Sequence, residues 1–241
     1  MNSDSRIYKI LNLYPEKMNM YGDTGNAIIL KKRIELRGYK AEIIDYNIGD
    51  NLPSQFDILT TGGGMDSSQA ELAADLQKIG PSIKKFADNG GAILAICGMY
   101  QLFGKYFQTR KGEKIPGIGV FNIWTEAGDK RIIGNIITES ERFGKLIGYE
   151  NHSGKTYLEK NAHPLAEQVT LGIGNGDLAH KTEGVIYKNS IGTYLHGPLL
   201  AKNPQISDFL IQSVISKELS PIKSIDQITI KARNVASKLS R

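Results

Sequence analysis

A short, uniformly apolar segment between glycines constrains this chain more than any other feature. The segment covers residues 92–96, follows Gly90 and Gly91, and is followed by Cys97 and Gly98. Five apolar residues in a row are typical of a buried strand in a parallel sheet, because an amphipathic helix would interrupt them with polar positions. Residues 99–103 then begin a helix. We therefore predict a strand–turn–helix unit with Cys97 on the turn.

Cys97 is the only cysteine in the chain, and this turn would expose its side chain above the carboxyl edge of the sheet. The helix N-terminus behind it favours a negatively charged sulfur. Gly98 follows, where a side chain would crowd the turn. The pattern is that of a serine nucleophile elbow with cysteine in place of serine. The alternative is a lone cysteine that is only part of the core.

Strands and helices alternate through the first hundred residues. Apolar runs predict strands at residues 7–13, 41–46 and 57–61, with helices at 27–37, from Asp66 or Ser67 to about 79, and at 81–89. This order predicts an α/β fold with a mostly parallel, twisted sheet flanked by helices on both faces.

The pattern changes after Phe107. Short strand-like runs at residues 112–125, 131–139 and 146–150 predict a β-rich excursion from the parallel sheet. Residues 184–188 and 191–195 predict a hairpin, and a helix follows from Asn203 or Pro204 to about 217. We expect one domain over residues 1–220 and a basic tail over 221–241.

Composition restricts the function classes. The 241 residues are 40% hydrophobic and 23% charged, as in ordinary globular chains. One cysteine cannot form an internal disulfide, which favours a reducing compartment. No stretch approaches the roughly 18 apolar residues of a membrane span, and residues 1–6 contain no signal-peptide core. We therefore expect a cytoplasmic protein.

The net charge of +5 lies mostly in the tail. The tail holds five basic residues and one acid, so it carries four of these positive charges: Lys223, Lys231, Arg233, Lys238 and Arg241 against Asp226. The rest of the chain offers no basic groove, and we expect no nucleic-acid partner. The tail could be a solvated helix, a docking segment for a partner, or a segment attracted to anionic surfaces with at most peripheral membrane contact.

A reactive thiol needs a base, and the chain has four histidines. His163 and His180 lie in polar, loop-like sequence and are predicted to be surface residues. His196 ends an apolar strand before a Gly-Pro turn, at the sheet edge where Cys97 is also expected. A Cys–His pair can form the thiolate and then protonate a leaving amine. The alternative for His196 is a capped histidine at a strand end.

A glycine run supplies the third feature. Gly62, Gly63 and Gly64 follow a neighbouring strand, and their backbone N–H groups could bind the oxyanion of a tetrahedral intermediate together with the N–H of Gly98. Three glycines before a helix are by themselves most often only a turn. Next to a cysteine on a nucleophile-elbow turn, the same glycines become candidates for the oxyanion-binding site.

These motifs together resemble the class I, triad-type glutamine amidotransferases. The resemblance is strongest to the cobyric-acid-synthase branch, through the runs at residues 61–64, 97–101, 148–156 and 192–198, and it extends from Tyr21 to the helix after Pro204. The free-standing length and Asn151 resemble the GatD branch, the glutaminase subunits of lipid II isoglutaminyl synthase. The resemblance implies a flavodoxin-like fold and hydrolysis of L-glutamine by Cys97 and His196.

The resemblance also implies a substrate site. Arg131 matches the position that binds glutamine, and a guanidinium fork suits an α-carboxylate; an exposed arginine at a strand end is the alternative. Gln101 would point toward the amino acid. His152 is interpreted as structural or as lining the ligand site, and not as the base. We expect no metal and no cofactor in this chain.

One departure from the class pattern concerns the third triad group. Many members carry a glutamate two residues after the histidine, where this chain has Pro198. In GatD-like proteins the resemblance implies a carboxylate from the partner, so we expect Cys97 and His196 to be poorly aligned in the isolated chain.

The chain has no Walker-type loop, so a partner must use the ammonia. The resemblance implies a Mur-ligase-like, ATP-binding subunit (MurT) that amidates the D-glutamate of the lipid II stem peptide to D-isoglutamine. The alternatives are amidation of cobyrinate side chains, a catalytically silent binding subunit, and a cysteine hydrolase acting on peptides.

Overall fold

The computed structural model describes residues 6–177 and 179–238. Its central sheet has six strands in the order β10-β11-β4-β3-β1-β2. These strands are β1 (Ile7–Leu13), β2 (Lys40–Tyr46), β3 (Ile58–Thr61), β4 (Ala92–Ile96), β10 (Val185–Tyr187) and β11 (Ser190–Thr193). All neighbouring pairs are parallel except β10 with β11. The predicted mostly parallel sheet is therefore confirmed, and β1 and β4 have the predicted bounds.

The helices are α1 (Thr24–Glu35), α2 (Asp66–Asp88), α3 (Gly98–Leu102), α4 (Leu199–Lys202), α5 (Pro204–Gln212) and α6 (Lys223–Ala236). Every residue of β3 and β4 is buried, so both faces of the sheet are covered at its centre. The carboxyl ends of β1, β3, β4 and β11 meet at one edge, because these strands are adjacent and parallel.

Helix α2 differs from the prediction of two helices separated at residue 80. It runs through Pro81 without a break. Leu76, Ile79, Ile83 and Ala87 are buried on both sides of the proline at spacings of three and four residues. Burial of this continuous apolar stripe outweighs the hydrogen bond that a proline removes from a helix.

The β-rich excursion is confirmed as a second, five-stranded sheet. Its strands are β5 (Tyr106–Gln108), β6 (Lys114–Pro116), β7 (Ile123–Ser140), β8 (Gly144–Leu158) and β9 (Gln168–Leu171). β7 and β8 form one long antiparallel hairpin, with a register shift between Ala127 and Ile132. The runs expected at residues 131–139 and 146–150 are thus parts of two long strands, whereas residues 112–125 contain β6 and the start of β7. Side chains along β8 alternate between buried and more exposed, as expected for a sheet with one covered face.

The basic tail contains α6, which has no buried residue. Asp226 of α6 forms an ion pair at 2.8 Å with Arg33 of α1, whose side chain is only 5% exposed. Arg241 and residues 1–5 lie outside the described residues. Among the helices that the structure describes, none has the length and apolarity to traverse a bilayer.

Candidate active site

Cys97 lies between β4 and α3 in a strained backbone conformation. Its φ of 51° and ψ of −110° lie in a region that residues other than glycine rarely adopt. The Cys97 N–H donates to the Thr193 carbonyl of β11 at 2.8 Å. This backbone directs the side chain away from the strand, and Cys97 contributes to the wall of a cavity while remaining 5% exposed. The predicted sharp turn is therefore present.

His196 follows β11 and reaches the same edge of the sheet. Its imidazole is 2% exposed, and Nδ1 lies 3.2 Å from both carboxylate oxygens of Asp23. Nε2 is also buried, and no hydrogen bond from any described residue reaches it. Burial opposes the imidazolium, but the negative charges of Cys97 and Asp23 outweigh it and raise the pKa of His196 to about 10. The site therefore favours the charged imidazolium form of His196.

Asp23 is the site residue that the sequence analysis missed. Its side chain is fully buried, and Oδ2 also accepts the Gly63 N–H at 2.9 Å. The residue precedes α1 but makes no side-chain cap to that helix. A carboxylate of this chain therefore lies on the His196 imidazole, at the position for which the resemblance implies one from the partner. That the partner supplies a carboxylate stays a prediction. The available signal was an acidic residue in the glycine-containing loop between β1 and α1.

Glycines allow these groups to approach each other closely. A Cβ built on Gly63 would lie 2.9 Å from His196 Cε1 and 3.0 Å from Cys97 Cβ. A Cβ on Gly98 would lie 2.6 Å from Gln69 Nε2, which agrees with the predicted crowding. Because the Gly63 N–H is bound to Asp23, this amide has a different acceptor from the one predicted.

The cavity beside Cys97 has a volume of about 410 Å³. Arg131 lies on its wall and is held in place by two neighbours. The guanidinium Nε donates to Asn151 Oδ1 at 2.6 Å, and one terminal nitrogen donates to the Tyr21 hydroxyl at 2.5 Å. Tyr21 also packs on the His196 ring, with centroids 4.5 Å apart. One aromatic ring thus connects the Arg131 guanidinium to the His196 imidazole.

Gln101 lines the same cavity from α3 and is 4% exposed. Its Oε1 accepts from Gln69 Nε2 at 2.7 Å, and its Nε2 donates to the Tyr194 hydroxyl at 3.0 Å. The Tyr194 hydroxyl is also 2.7 Å from Thr156 Oγ1. This chain of polar groups holds the Gln101 amide in a single orientation beside Cys97.

The other histidines fall into two groups. His163 and His180 are exposed, as predicted. His152 is 3% exposed, stacks on Tyr194 at 3.6 Å, and contacts the Gly154 carbonyl through Nδ1 at 2.9 Å. Burial lowers the pKa of His152 to about 3, against the opposing effect of backbone carbonyls. His152 is therefore neutral at ordinary pH.

The cavity wall also includes residues that the sequence analysis did not assign to the site, among them Tyr21, Gln69 and Arg110. Arg110 donates to the carbonyls of Gly128 and Asp129, in the irregular part of β7 next to Arg131. A larger cavity of about 750 Å³ lies at the opposite, amino edge of the sheet, and none of the predicted site residues lines it.

Comparisons with known proteins agree with this geometry. Residues 9–204 match the CobB/CobQ-like glutamine amidotransferase domain. The chain is 37% identical over 230 residues to a Staphylococcus aureus (strain N315) protein, named "Lipid II isoglutaminyl synthase (glutamine-hydrolyzing) subunit GatD", and the match covers 94% of this chain and 93% of that protein. It is also 37% identical over 213 residues to the Streptococcus pneumoniae (strain ATCC BAA-255 / R6) protein of the same name, covering 87% and 81%.

A glutamine amidotransferase from Thermotoga maritima has a similar structure, with a TM-score of 0.55 over 95% of this chain and 93% of that chain. At 14% identity this likeness concerns the fold alone. It agrees with the predicted class I, flavodoxin-like architecture. Given the match to the family domain and the 37% identity along nearly the whole of a GatD subunit, the chain belongs to the CobB/CobQ-like glutamine amidotransferase family.

Proposed function

We propose that this chain hydrolyses L-glutamine to glutamate and ammonia. The observation that carries the proposal is the buried arrangement of Cys97, His196 and Asp23 beside a cavity large enough for an amino acid. A thiol on a strained turn, an imidazole and a carboxylate on that imidazole form the set needed for nucleophilic acyl transfer.

In the first half of the reaction, the Cys97 sulfur attacks the side-chain carbonyl carbon of glutamine. The carbon–nitrogen bond breaks, His196 gives its proton to the departing nitrogen, and ammonia leaves behind a thioester. In the second half, His196 takes a proton from water, the resulting hydroxide attacks the thioester, and glutamate is released with the thiol restored. Asp23 holds the imidazole through Nδ1, which leaves Nε2 for these proton transfers.

The oxyanion formed in both steps needs N–H donors. The N–H groups of Gly64 and Gly98 donate to no acceptor among the described residues, and Gly64 lines the cavity. We assign the oxyanion to these two amides. Gly63 instead positions Asp23, because its N–H is already bound to that carboxylate. Preorganised donors of this kind lower such barriers by several kcal/mol, roughly 3 for one donor.

The α-carboxylate of glutamine would bind Arg131, which keeps N–H donors beyond those used by Asn151 and Tyr21. Gln101 would face the amino acid from α3, which lines the same cavity. Both assignments follow from the position of these side chains on one cavity with Cys97.

The ammonia would be used by a second subunit. The relatives that match along most of their length are named as subunits of a lipid II isoglutaminyl synthase. We infer a heterodimer with a MurT-like ligase subunit that carries ATP, binds lipid II and amidates its D-glutamate to D-isoglutamine in the cytoplasm. Near-complete coverage of GatD supports this acceptor over cobyrinate side chains.

The test is release of ammonia and glutamate from L-glutamine by the purified chain, compared with a Cys97→Ser variant. A glutamine-mimicking electrophile should also label the wild-type chain, and peptide mapping should place the label on Cys97. A folded wild-type chain that neither releases ammonia nor takes up the label, alone or with its ligase, contradicts the proposal and favours a silent binding subunit.

A further inference from the structure

The chain between β11 and His196 requires special acceptors for its backbone. β11 ends at Thr193, so the next three N–H groups lie beyond the strand. Each of them still has a partner. The Tyr194 N–H donates to Glu183 Oε1 at 2.9 Å, the Leu195 N–H donates to Thr193 Oγ1 at 3.1 Å, and the His196 N–H donates to the Tyr149 carbonyl at 2.8 Å. Buried amides rarely remain unpaired, so these acceptors determine the path of this segment.

Glu183 controls two of the three acceptors. Its Oε1 accepts the Tyr194 N–H directly, and it also accepts the hydroxyl of Thr193. That contact fixes the rotamer of Thr193, whose oxygen in turn accepts the Leu195 N–H. A single carboxyl group therefore holds the two residues that precede His196.

Glu183 is an unusual group to find in this position. The residue is completely buried, and its second oxygen, Oε2, has no hydrogen-bond partner among the described residues. None of the ion pairs in the described part of the chain includes it. Buried carboxylates without a counterion are costly, so a group kept in this state needs a compensating role.

The charged and titratable groups facing Glu183 do not relieve this cost. They are Glu150 of β8, Tyr100 of α3 and Tyr194 itself. Burial raises the pKa of Glu183 to about 7, and the negative charge of Glu150 adds to the rise, while the hydrogen bonds from Thr193 and Tyr194 oppose it. Glu183 therefore changes its charge near neutral pH.

We propose that Glu183 is a positioning residue for His196, and that its ionised carboxylate holds the Thr193–Leu195 turn in the form that presents the imidazole to Cys97. The proposal rests on the proposed glutaminase function. Hydrogen bonds to a carboxylate are about twice as strong as those to a neutral acceptor. Protonation of Glu183 thus loosens the turn without removing it, and glutamine turnover decreases as the pH falls through neutrality.

The test is a Glu183→Gln variant, which keeps an acceptor at Oε1 but cannot ionise. Turnover of L-glutamine is measured for both proteins from pH 5.5 to 8.5, and the ratio of wild-type to variant kcat is taken at each pH. Titration of other groups affects both proteins and largely cancels in this ratio. We expect a ratio of about three to ten at pH 8.5 that approaches one at pH 5.5, with little change in KM. Glu167→Gln, on the surface, is the matched control and should give a ratio of one throughout.

A second variant keeps the proposal testable if Glu183→Gln folds poorly. Thr193→Val keeps the side-chain shape but removes the hydroxyl between Glu183 and Leu195. It should lower kcat several-fold and leave KM nearly unchanged. A ratio that does not vary with pH, or a Thr193→Val variant with normal kcat, overturns the proposal. Failure of the wild-type chain to hydrolyse glutamine would instead overturn the proposed function.

Discussion

The close approach of Cys97 and His196 depends on the absence of a side chain at Gly63. Replacing Gly63 with alanine would place a Cβ 2.9 Å from His196 Cε1 and 3.0 Å from Cys97 Cβ. Neither neighbour is the free end of a flexible chain. The imidazole is held by Asp23, and the cysteine Cβ is attached to a strained backbone. The added methyl group must therefore push the two reacting side chains apart by several tenths of an ångström.

The magnitude follows from two effects. Overpacking a buried position costs about 1–3 kcal/mol of stability. A displacement of about 1 Å in a reacting pair can cost on the order of 10² in rate, so a smaller displacement here should lower kcat by about 10- to 100-fold. Because the methyl group does not lie against Arg131, KM for glutamine should change much less than kcat.

The assay is ammonia release from L-glutamine, together with thermal unfolding of each protein. Gly112→Ala is a suitable control because Gly112 is exposed and has a φ of +82°, so alanine there strains the backbone without contacting the site. The control should lose stability but keep kcat. A folded Gly63→Ala variant with normal kcat would refute the view that Gly63 sets the separation of the catalytic pair.

Two further predictions concern the cavity wall. Arg131→Ala should raise KM for L-glutamine about tenfold or more, because the substrate loses charged hydrogen bonds. Lys130→Ala removes an equal charge from the same segment and should leave KM unchanged. Equal KM values for the two variants would contradict the role assigned to Arg131. The pKa of His152 is about 3 in the folded chain, whereas its ordinary value is 6.5. Between these two pH values the unfolded chain binds a proton that the folded chain does not. The free energy of unfolding therefore decreases as the pH falls below about 6.5. His152→Phe, which keeps the stack on Tyr194, should show a smaller decrease in denaturant midpoint between pH 7.5 and 5, and an unchanged decrease would contradict the burial argument.

Local patterns in the sequence were sufficient to predict the elements of the central sheet. β1 and β4 match their predictions because uniformly apolar runs end at clear boundaries, with glycines around β4. Cys97 and His196 were predicted to lie at one edge of the sheet because each follows such a strand, and the structure places both there. The shape of the turn at Cys97 and the crowding at Gly98 also followed from residue types alone.

The features that sequence analysis missed depend on contacts between distant segments. α2 continues through Pro81 because burial of an unbroken apolar stripe against the rest of the fold stabilises the continuous helix. Asp23 meets His196 across 173 positions of sequence, because β1 and β11 end at the same edge of the sheet and the loop after β1 extends past the end of β3 to reach the segment after β11. No residue pattern within either segment indicates that the Asp23 and His196 side chains are in contact. The long hairpin of β7 and β8 is similarly set by pairing across the second sheet, which the short apolar runs only partly indicated.

The most direct test of the account is an Asp23→Asn variant of the chain assayed without any partner. We predict that the wild-type chain hydrolyses glutamine by itself. The variant should fold normally but turn over about 10² to 10⁴ times more slowly, because the imidazole loses its charged orienting group. Equal turnover by wild type and Asp23→Asn would contradict the assignment of Asp23 as the third member of the triad. The carboxylate that orients the His196 imidazole would then have to come from the ligase subunit.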